Sequence, residues 1–344
     1  MKEFDHIPWL QDLILSSEKI IHEIFENTGS ADIKDLLKRQ HNGGKRLRPM
    51  VIAASAQLGE KSSEQLPYAA SAVELFHLAS LFHDDVLDDT LMRRDQLASP
   101  KKIGNLRSVL SGDYLLAESI ELTVKYLPKE IAHYFLTTIK TMVRSEIISH
   151  KLLFNTEITR KEYLDIIASK TAVLFELACS IGIRLTTGNS DRIQRLTHFG
   201  HQLGMAYQLV DDLEDMMGLI EGGDNDLAHG YMSLPVIELF KSAPAEDKAR
   251  ITKILQTPGD PHELLHWMKS FSIFRTITAD IKRYIDEAKK ELRLPLQNDE
   301  QKIATAMLET LCDYVLNKGI DVIRKYEVLE EEKETTPRKE LVFA

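Results

Sequence analysis

Two short acidic blocks, Asp84-Asp85-Val86-Leu87-Asp88 and Asp211-Asp212-Leu213-Glu214-Asp215, each close an apolar run with helical spacing, 75-LFHLASLFH-83 and 199-FGHQLGMAYQLV-210. On a helix, residues four apart share a face, so Asp84 stands over Asp88 and Asp211 over Asp215. Like charges at that spacing repel by roughly 0.2–0.5 kcal/mol per pair. A chain that sets this arrangement twice at the edge of its apolar core needs cations to relieve it. Hard divalent ions with oxygen ligands suit carboxylates, and Mg²⁺ shared with a phosphorylated substrate suits them best.

The rest of the chain constrains where those blocks can sit. Apolar residues recur at three- and four-residue spacing over 66–88, 109–127, 131–153, 160–187, 192–220, 261–292 and 300–325, while alternating β-branched patterns are scarce. Gly and Pro fall mostly between these runs. With no Pro- or Ser-rich linker and no fixed-period repeat, the 344 residues read as one all-α domain over 1–326. Its expected form is a single-domain bundle of many long helices around a central apolar cavity. The charged segment 327–344 reads as a flexible tail.

Composition removes several functional classes. A hydrophobic content of 43% with 28% charged residues is that of a soluble globular protein. No apolar stretch reads as the ~18 residues needed to cross a bilayer, so no stable membrane anchor is expected. The N-terminus lacks a convincing signal peptide. Cys179 and Cys312 lie far apart in apolar helical patterns, as buried free thiols of a reducing compartment do, and a cytoplasmic location is the expectation. A formal charge of −10 argues against nucleic acid as a partner.

Further elements supply the opposite charge. The first block runs into Arg93-Arg94, and forked guanidinium groups suit the phosphate oxygens that a metal leaves uncovered. Gln208 precedes Asp212 by one turn and can reach the same cluster. The segment 43-GGKRLRP-49 offers exposed backbone N–H groups with Lys45, Arg46 and Arg48 before a helix, an anion-binding arrangement without the Walker spacing. Lys170, followed by Thr171, stands in the apolar helix pattern 163-YLDIIASKTAVLFELA-178, where it must snorkel out or face an anion. His77 lies two full turns before Asp84 on the same face. A Ser/His/Asp nucleophile signature, Cys/His zinc spacing and a strand-linked GxGxxG are all absent from the sequence. Each element alone also has a bland reading as a solvated helix end or basic turn; their joint presence points to metal-assisted chemistry on a diphosphate.

In order along residues 40–240, GGKRLRP, HLASLFHDDVLDD, the arginine pair, 112-GDYLLA-117, Lys170-Thr171-Ala172 and FGHQLGMAYQLVDDLED resemble the trans-isoprenyl diphosphate synthases, the polyprenyl synthetase family. The resemblance implies the isoprenoid synthase fold and a homodimer. It implies three Mg²⁺ ions held by Asp84, Asp88, Asp211 and Asp215, with Asp85 and Asp212 in support. Arg93, Lys170, Thr171 and Gln208 would complete the clamp on an allylic diphosphate. Gly44, Lys45, Arg48, His77 and Arg94 would hold isopentenyl diphosphate, whose double bond attacks the allylic cation. Small residues at Ala79 and Ser80 leave the path below Asp84 open as far as Phe76, about 12 Å along the helix. That resembles long-chain members and implies a product of geranylgeranyl length or longer.

The chain also departs from that pattern. Asp95 follows the arginine pair where the family has Gly, and 216-MMGL-219 stands where a lysine is expected. Gly230-Tyr231-Met232-Ser233-Leu234-Pro235 replaces Gly-Lys-x-Thr-Leu-Pro. Two further outcomes therefore stay open beside elongation. One is an enzyme that ionises a diphosphate and cyclises it or prenylates another acceptor. The other is a non-catalytic regulatory subunit of a heteromeric synthase.

Overall fold

The core is organised around a helix that is almost wholly buried. In a computed structural model, which describes all residues except 1–3, 5, 43, 94–95, 221–228, 257–260 and 336–344, helix α9 (Val173–Arg184) is buried at nearly every position from Leu174 to Ile183. A helix apolar on most of its circumference, polar only along Glu176, Ser180 and Arg184, lies largely inside. Around it pack α3 (Leu47–Gln57), α4 (Leu66–Leu87), α7 (Lys129–Lys151) and α10 (Ser190–Ile220). An outer set adds α1 (Pro8–Glu26) and α6 (Asn105–Tyr126) against α4, and α14 (Ile273–Glu291) and α15 (Asp299–Thr335) against α10. Shorter helices α2 (Ala31–Asn42), α5 (Ser99–Ile103), α8 (Arg160–Ile167), α11 (Leu234–Ser242), α12 (Ala245–Gln256) and α13 (Pro261–Ser270) fill the corners. Among the described residues the only strands are β1 (Met92–Arg93) and β2 (Gln96–Leu97), paired antiparallel.

The expected helical runs appear close to their sequence limits, with three differences. The run 261–292 is broken between α13 and α14, where Ser272 takes a left-handed φ of 57°. Helix α15 continues through the acidic stretch to Thr335, beyond the boundary assigned at 326, and 336–344 lie outside the described residues. The helix over Arg160–Arg184 is, by length and composition, apolar enough to cross a membrane, contrary to the expectation from sequence. It reads so because it is a core helix: 61% of its apolar window is buried inside the protein. Cys179 and Cys312 are free and buried, as expected.

Helix contact in the centre is set by small residues. A Cβ on Gly204 would lie 2.6 Å from the Ala172 Cα, and one on Gly200 would lie 2.5 Å from the Phe175 carbonyl oxygen. Both obstacles are backbone, so α10 sits against α9 and the residue just before it, Ala172, at a depth that only glycine permits. Gly112 plays a similar part between α6 and α4, where a Cβ would come within 2.5 Å of the His83 ring. Gly204→Ala should cost about 1–3 kcal/mol through overpacking. Urea denaturation measures this, and an unchanged midpoint would refute the account of this contact.

Candidate active site

The first acidic block forms the last turn of α4, which carries its apolar face deep into the core. Asp88 closes the helix by donating its N–H to the Asp84 carbonyl at 2.9 Å. Asp84 and Asp88 line a cavity of about 580 Å³, while Asp85 is turned away from it and buried. The Asp85 carboxylate accepts from Arg93 Nε, from Ser99 Oγ at 3.4 Å and from the Ser99 N–H at 3.5 Å. Asp85 thus aims Arg93, which lines the cavity, and does not face the cavity itself. The sequence had grouped it with its neighbours because a one-residue step along a helix is invisible as a change of role until the packing is known. Arg94 lies outside the described residues.

Burial pushes the Asp84 carboxyl up to about 7; Lys170 and Arg93 oppose this, whereas Glu146 and Asp88 add to it. Burial thus disfavours the ionised Asp84 carboxylate, and the neighbouring carboxylates add to that cost. Lys170 answers part of it. The α8 helix opens into a π-helical turn, Ala168–Ala172, before α9 begins. Such turns recur at functional sites, and here two adjacent side chains, Lys170 and Thr171, both line the cavity. Lys170 Nζ meets Glu146 Oε2 at 2.8 Å and lies 5.2 Å from the Tyr231 ring centroid. Burial disfavours the Lys170 ammonium, but the charges of Asp84 and Glu146 outweigh it and hold its pKa above the usual lysine range.

The opposite wall comes from α10. Thr171 Oγ1 donates to Gln208 Oε1 at 2.6 Å, and Gln208 Nε2 donates to Asp212 Oδ1 at 3.0 Å. Asp211 and Gln208 line the cavity. Asp212, like Asp85, is buried and points away: it accepts from the Tyr163 hydroxyl and from the Leu234 N–H at 3.4 Å, pinning the start of α11. Asp215 stands one turn beyond Asp211, partly exposed and outside the cavity lining. Each block opens with the same division: its first aspartate, Asp84 or Asp211, faces the cavity, and the next, Asp85 or Asp212, holds the scaffold.

The basic segment divides in the same way. Arg48 and His77 line the cavity, with the Arg48 guanidinium 4.8 Å from the Phe175 ring centroid. Lys45 is exposed and donates to Tyr314 Oη at 3.1 Å, and the Gly44 N–H donates to His41 O at 3.0 Å. Neither Gly44 nor Lys45 lines the cavity. Arg46, in a left-handed conformation with φ of 55°, turns inward to Glu18, to Glu74 at 3.4 Å and to the His41 carbonyl at 2.6 Å. It anchors the turn that presents Arg48.

Below the charged rim, Phe76, Ala79, Ser80, Leu116, Met142, Val143, Ile147 and Leu174 line the same cavity. Ala79 and Ser80 are indeed small, and Phe76 packs edge-on against Phe135 at 6.0 Å. Sequence reasoning missed Glu146 and Tyr231. Glu146 lies in a helix of mixed surface charge with no motif around it, whereas Tyr231 was visible only as a missing lysine. A larger surface cleft of about 1000 Å³ beside Glu176, His198 and His201 contains none of the residues singled out by sequence. Its histidines are paired with carboxylates, His201 with Glu176 at 3.1 Å and His198 with Glu291 at 2.8 Å.

Residues 31–269 match the family model for polyprenyl synthetases. The chain belongs to the polyprenyl synthetase family. The synthase is 30% identical over 258 residues to heptaprenyl diphosphate synthase component 2 of Bacillus subtilis, covering 73% of each chain. Further relatives are named as synthases of geranylgeranyl to nonaprenyl diphosphates. Its structure superposes with a TM-score of 0.83 on a decaprenyl diphosphate synthase from Rhodobacter capsulatus, at 27% identity over 90% of this chain and 97% of the other. A polyprenyl synthase from Caulobacter crescentus, complexed with calcium and isoprenyl diphosphate, gives 0.79 at 26% identity over 89% and 94%. The synthase is therefore a prenyltransferase with the isoprenoid synthase fold.

The anchor of the basic turn gives a pH test. Burial pushes the Glu18 carboxyl up, but hydrogen bonds from His41 and Arg46 outweigh this and bring it from an ordinary 4.5 down to about 2. A carboxyl lowered in the folded state contributes stability above its unfolded pKa and loses it as pH falls through the folded one. The thermal midpoint of the native chain should thus exceed that of Glu18→Gln at neutral pH, the gap closing between about pH 4.5 and 2. A gap constant across that window, followed by circular dichroism, contradicts this.

Proposed function

We propose that the synthase condenses isopentenyl diphosphate with an allylic diphosphate, dependent on Mg²⁺, to give a polyprenyl diphosphate of geranylgeranyl length or longer. One observation carries the reading: a single cavity joins Asp84, Asp88, Asp211, Arg93 and Lys170 at its rim to an apolar depth lined by Phe76, Ala79, Leu116, Met142 and Leu174. A diphosphate head with a hydrocarbon tail needs both ends.

Among the described residues no group of three His, Cys, Asp or Glu is gathered around one point. Mg²⁺ does not require such a cage, since it is usually held by one or two carboxylates together with substrate phosphates and water. Asp84 and Asp88 on one wall and Asp211 on the other fit that donor set, with Asp215 one turn away. Bound there, divalent cations would supply Lewis-acid charge neutralisation for the departing diphosphate.

The chain's own groups then have distinct tasks. Lys170 and Arg93 hold the diphosphate oxygens and favour the charge that grows on them as the allylic C–O bond breaks. Gln208, fixed by Thr171, keeps the α10 wall in register. Arg48 and His77 hold the second diphosphate so that the isopentenyl double bond faces the allylic carbon. The new C–C bond forms there, and the proton lost from the isopentenyl unit passes to the released diphosphate. No protein nucleophile is used. The presence of Arg48 and His77 at the cavity favours elongation over cyclisation, which has no second diphosphate to hold.

We further propose a homodimer. Helix α6 leaves Leu106, Leu110 and Val124 more than half exposed, and Val143 and Ile147 of α7, at the cavity, are also more than half exposed; a second copy would cover such apolar side chains. Similarity to a synthase component keeps a heteromeric assembly as the second reading.

Purified protein incubated with Mg²⁺, radiolabelled isopentenyl diphosphate and farnesyl or geranylgeranyl diphosphate should give labelled longer diphosphates. Ala79→Tyr, which fills the buried wall below Asp84, should shift them to shorter chains by mass spectrometry. Unlabelled hydrocarbon or alcohol would replace elongation with cyclisation, and activity only on adding a second protein would establish the heteromeric reading. Light scattering should give twice the 39.2 kDa chain mass, and a monomer would remove the dimer.

A further inference from the structure

We propose that Tyr231 is a positioning residue of the diphosphate site, holding Asp88 through its hydroxyl and Lys170 through its ring. The proposal rests on the diphosphate reading above and names how this chain manages without a basic side chain at that position.

Tyr231 Oη donates to Asp88 Oδ1 at 2.9 Å, while the Lys170 ammonium lies 5.2 Å from the centre of the same ring. One side chain therefore contacts a carboxylate of the first acidic block and the principal cation of the α8–α9 turn. Its own placement is over-determined. The preceding Gly230 takes a φ of 91°, accepts the Phe154 N–H at 2.7 Å and leaves no room for a Cβ, which would fall 2.5 Å from the Phe154 ring. On the other side, Leu234 donates its N–H to Asp212. The short loop 230–234 thus ties the second acidic block, through Asp212, to the first, through Asp88. A recess of about 110 Å³ behind the main cavity is lined by Tyr231, Lys170, Gln208 and Asp212, so the tie runs along the shared wall.

The chemistry of the phenol explains its use. It fixes the Asp88 rotamer with a neutral donor, adding no charge to compete with a divalent cation. Its π face favours the ammonium of Lys170, held between Glu146 and the ring. A lysine at 231 would add a positive charge for the diphosphate; tyrosine adds none and makes anion binding lean more heavily on divalent cations.

Calorimetric titration of the full chain with inorganic pyrophosphate in Mg²⁺ tests this directly. Tyr231→Phe, which keeps the ring, should weaken pyrophosphate binding roughly tenfold, the weight of one charge-assisted hydrogen bond, while lowering the thermal midpoint by only a few degrees. Tyr231→Lys should bind pyrophosphate more tightly than the native chain when Mg²⁺ is limiting. In turnover, Tyr231→Phe should raise KM for the allylic diphosphate and the Mg²⁺ requirement while leaving kcat at saturation near the native value, a split that simple loss of stability would not produce. Native-like pyrophosphate affinity in Tyr231→Phe overturns the role of Tyr231 and leaves the diphosphate reading intact. Absence of Mg²⁺-dependent pyrophosphate binding by the native chain overturns both.

Discussion

The close seating of α10 on the α8–α9 helix is the constraint on which the rest depends. Gly200 and Gly204 let one backbone rest on another at Phe175 and Ala172. One turn beyond Gly204, Gln208 meets Thr171 at 2.6 Å, and Asp211 then faces the wall that carries Asp84. A methyl group at either glycine acts on backbone, which cannot swing aside as a side chain can. The distance between the two acidic walls is thus a packing quantity, fixed in the interior before any ligand arrives.

That geometry imposes an electrostatic cost and distributes its relief. The carboxylates facing the cavity are not those that hold the scaffold: Asp84, Asp88 and Asp211 line it, while Asp85 and Asp212 are buried with hydrogen-bond donors. Asp85 directs Arg93 and Asp212 secures the loop that carries Tyr231. Lys170 compensates part of the remaining negative charge through Asp84 and Glu146. Removing a buried partner from such a network leaves its counter-charge unpaired, which is why the positioning pairs matter as much as the residues they aim.

Much of this was legible in the sequence because it is periodic or compositional. The helical runs, the small Ala79 and Ser80 and the two acidic blocks all announce themselves through spacing. Other features depend on contacts between distant segments. Arg46 and Arg48 look alike in 43-GGKRLRP-49, yet the left-handed turn at Arg46 sends one to Glu18 and the other to the cavity. The break at Ser272 carries no Gly or Pro signal. The widening of the helix at Lys170 likewise leaves no mark in the hydrophobic pattern, and Glu146 gains meaning only from facing Lys170. Tyr231 is the instructive case: read against a family pattern it was a lost cation, whereas its contacts make it a link between the two blocks.

The central claim is that the two acidic blocks are opposite walls of one cation–diphosphate site. Anomalous scattering from crystals soaked with Mn²⁺ and inorganic pyrophosphate tests it most directly. Metal peaks between the Asp84–Asp88 wall and Asp211, with pyrophosphate density reaching Lys170 and Arg93, are the predicted result. Metal bound only elsewhere, or no peak between those walls at saturating Mn²⁺, would contradict it.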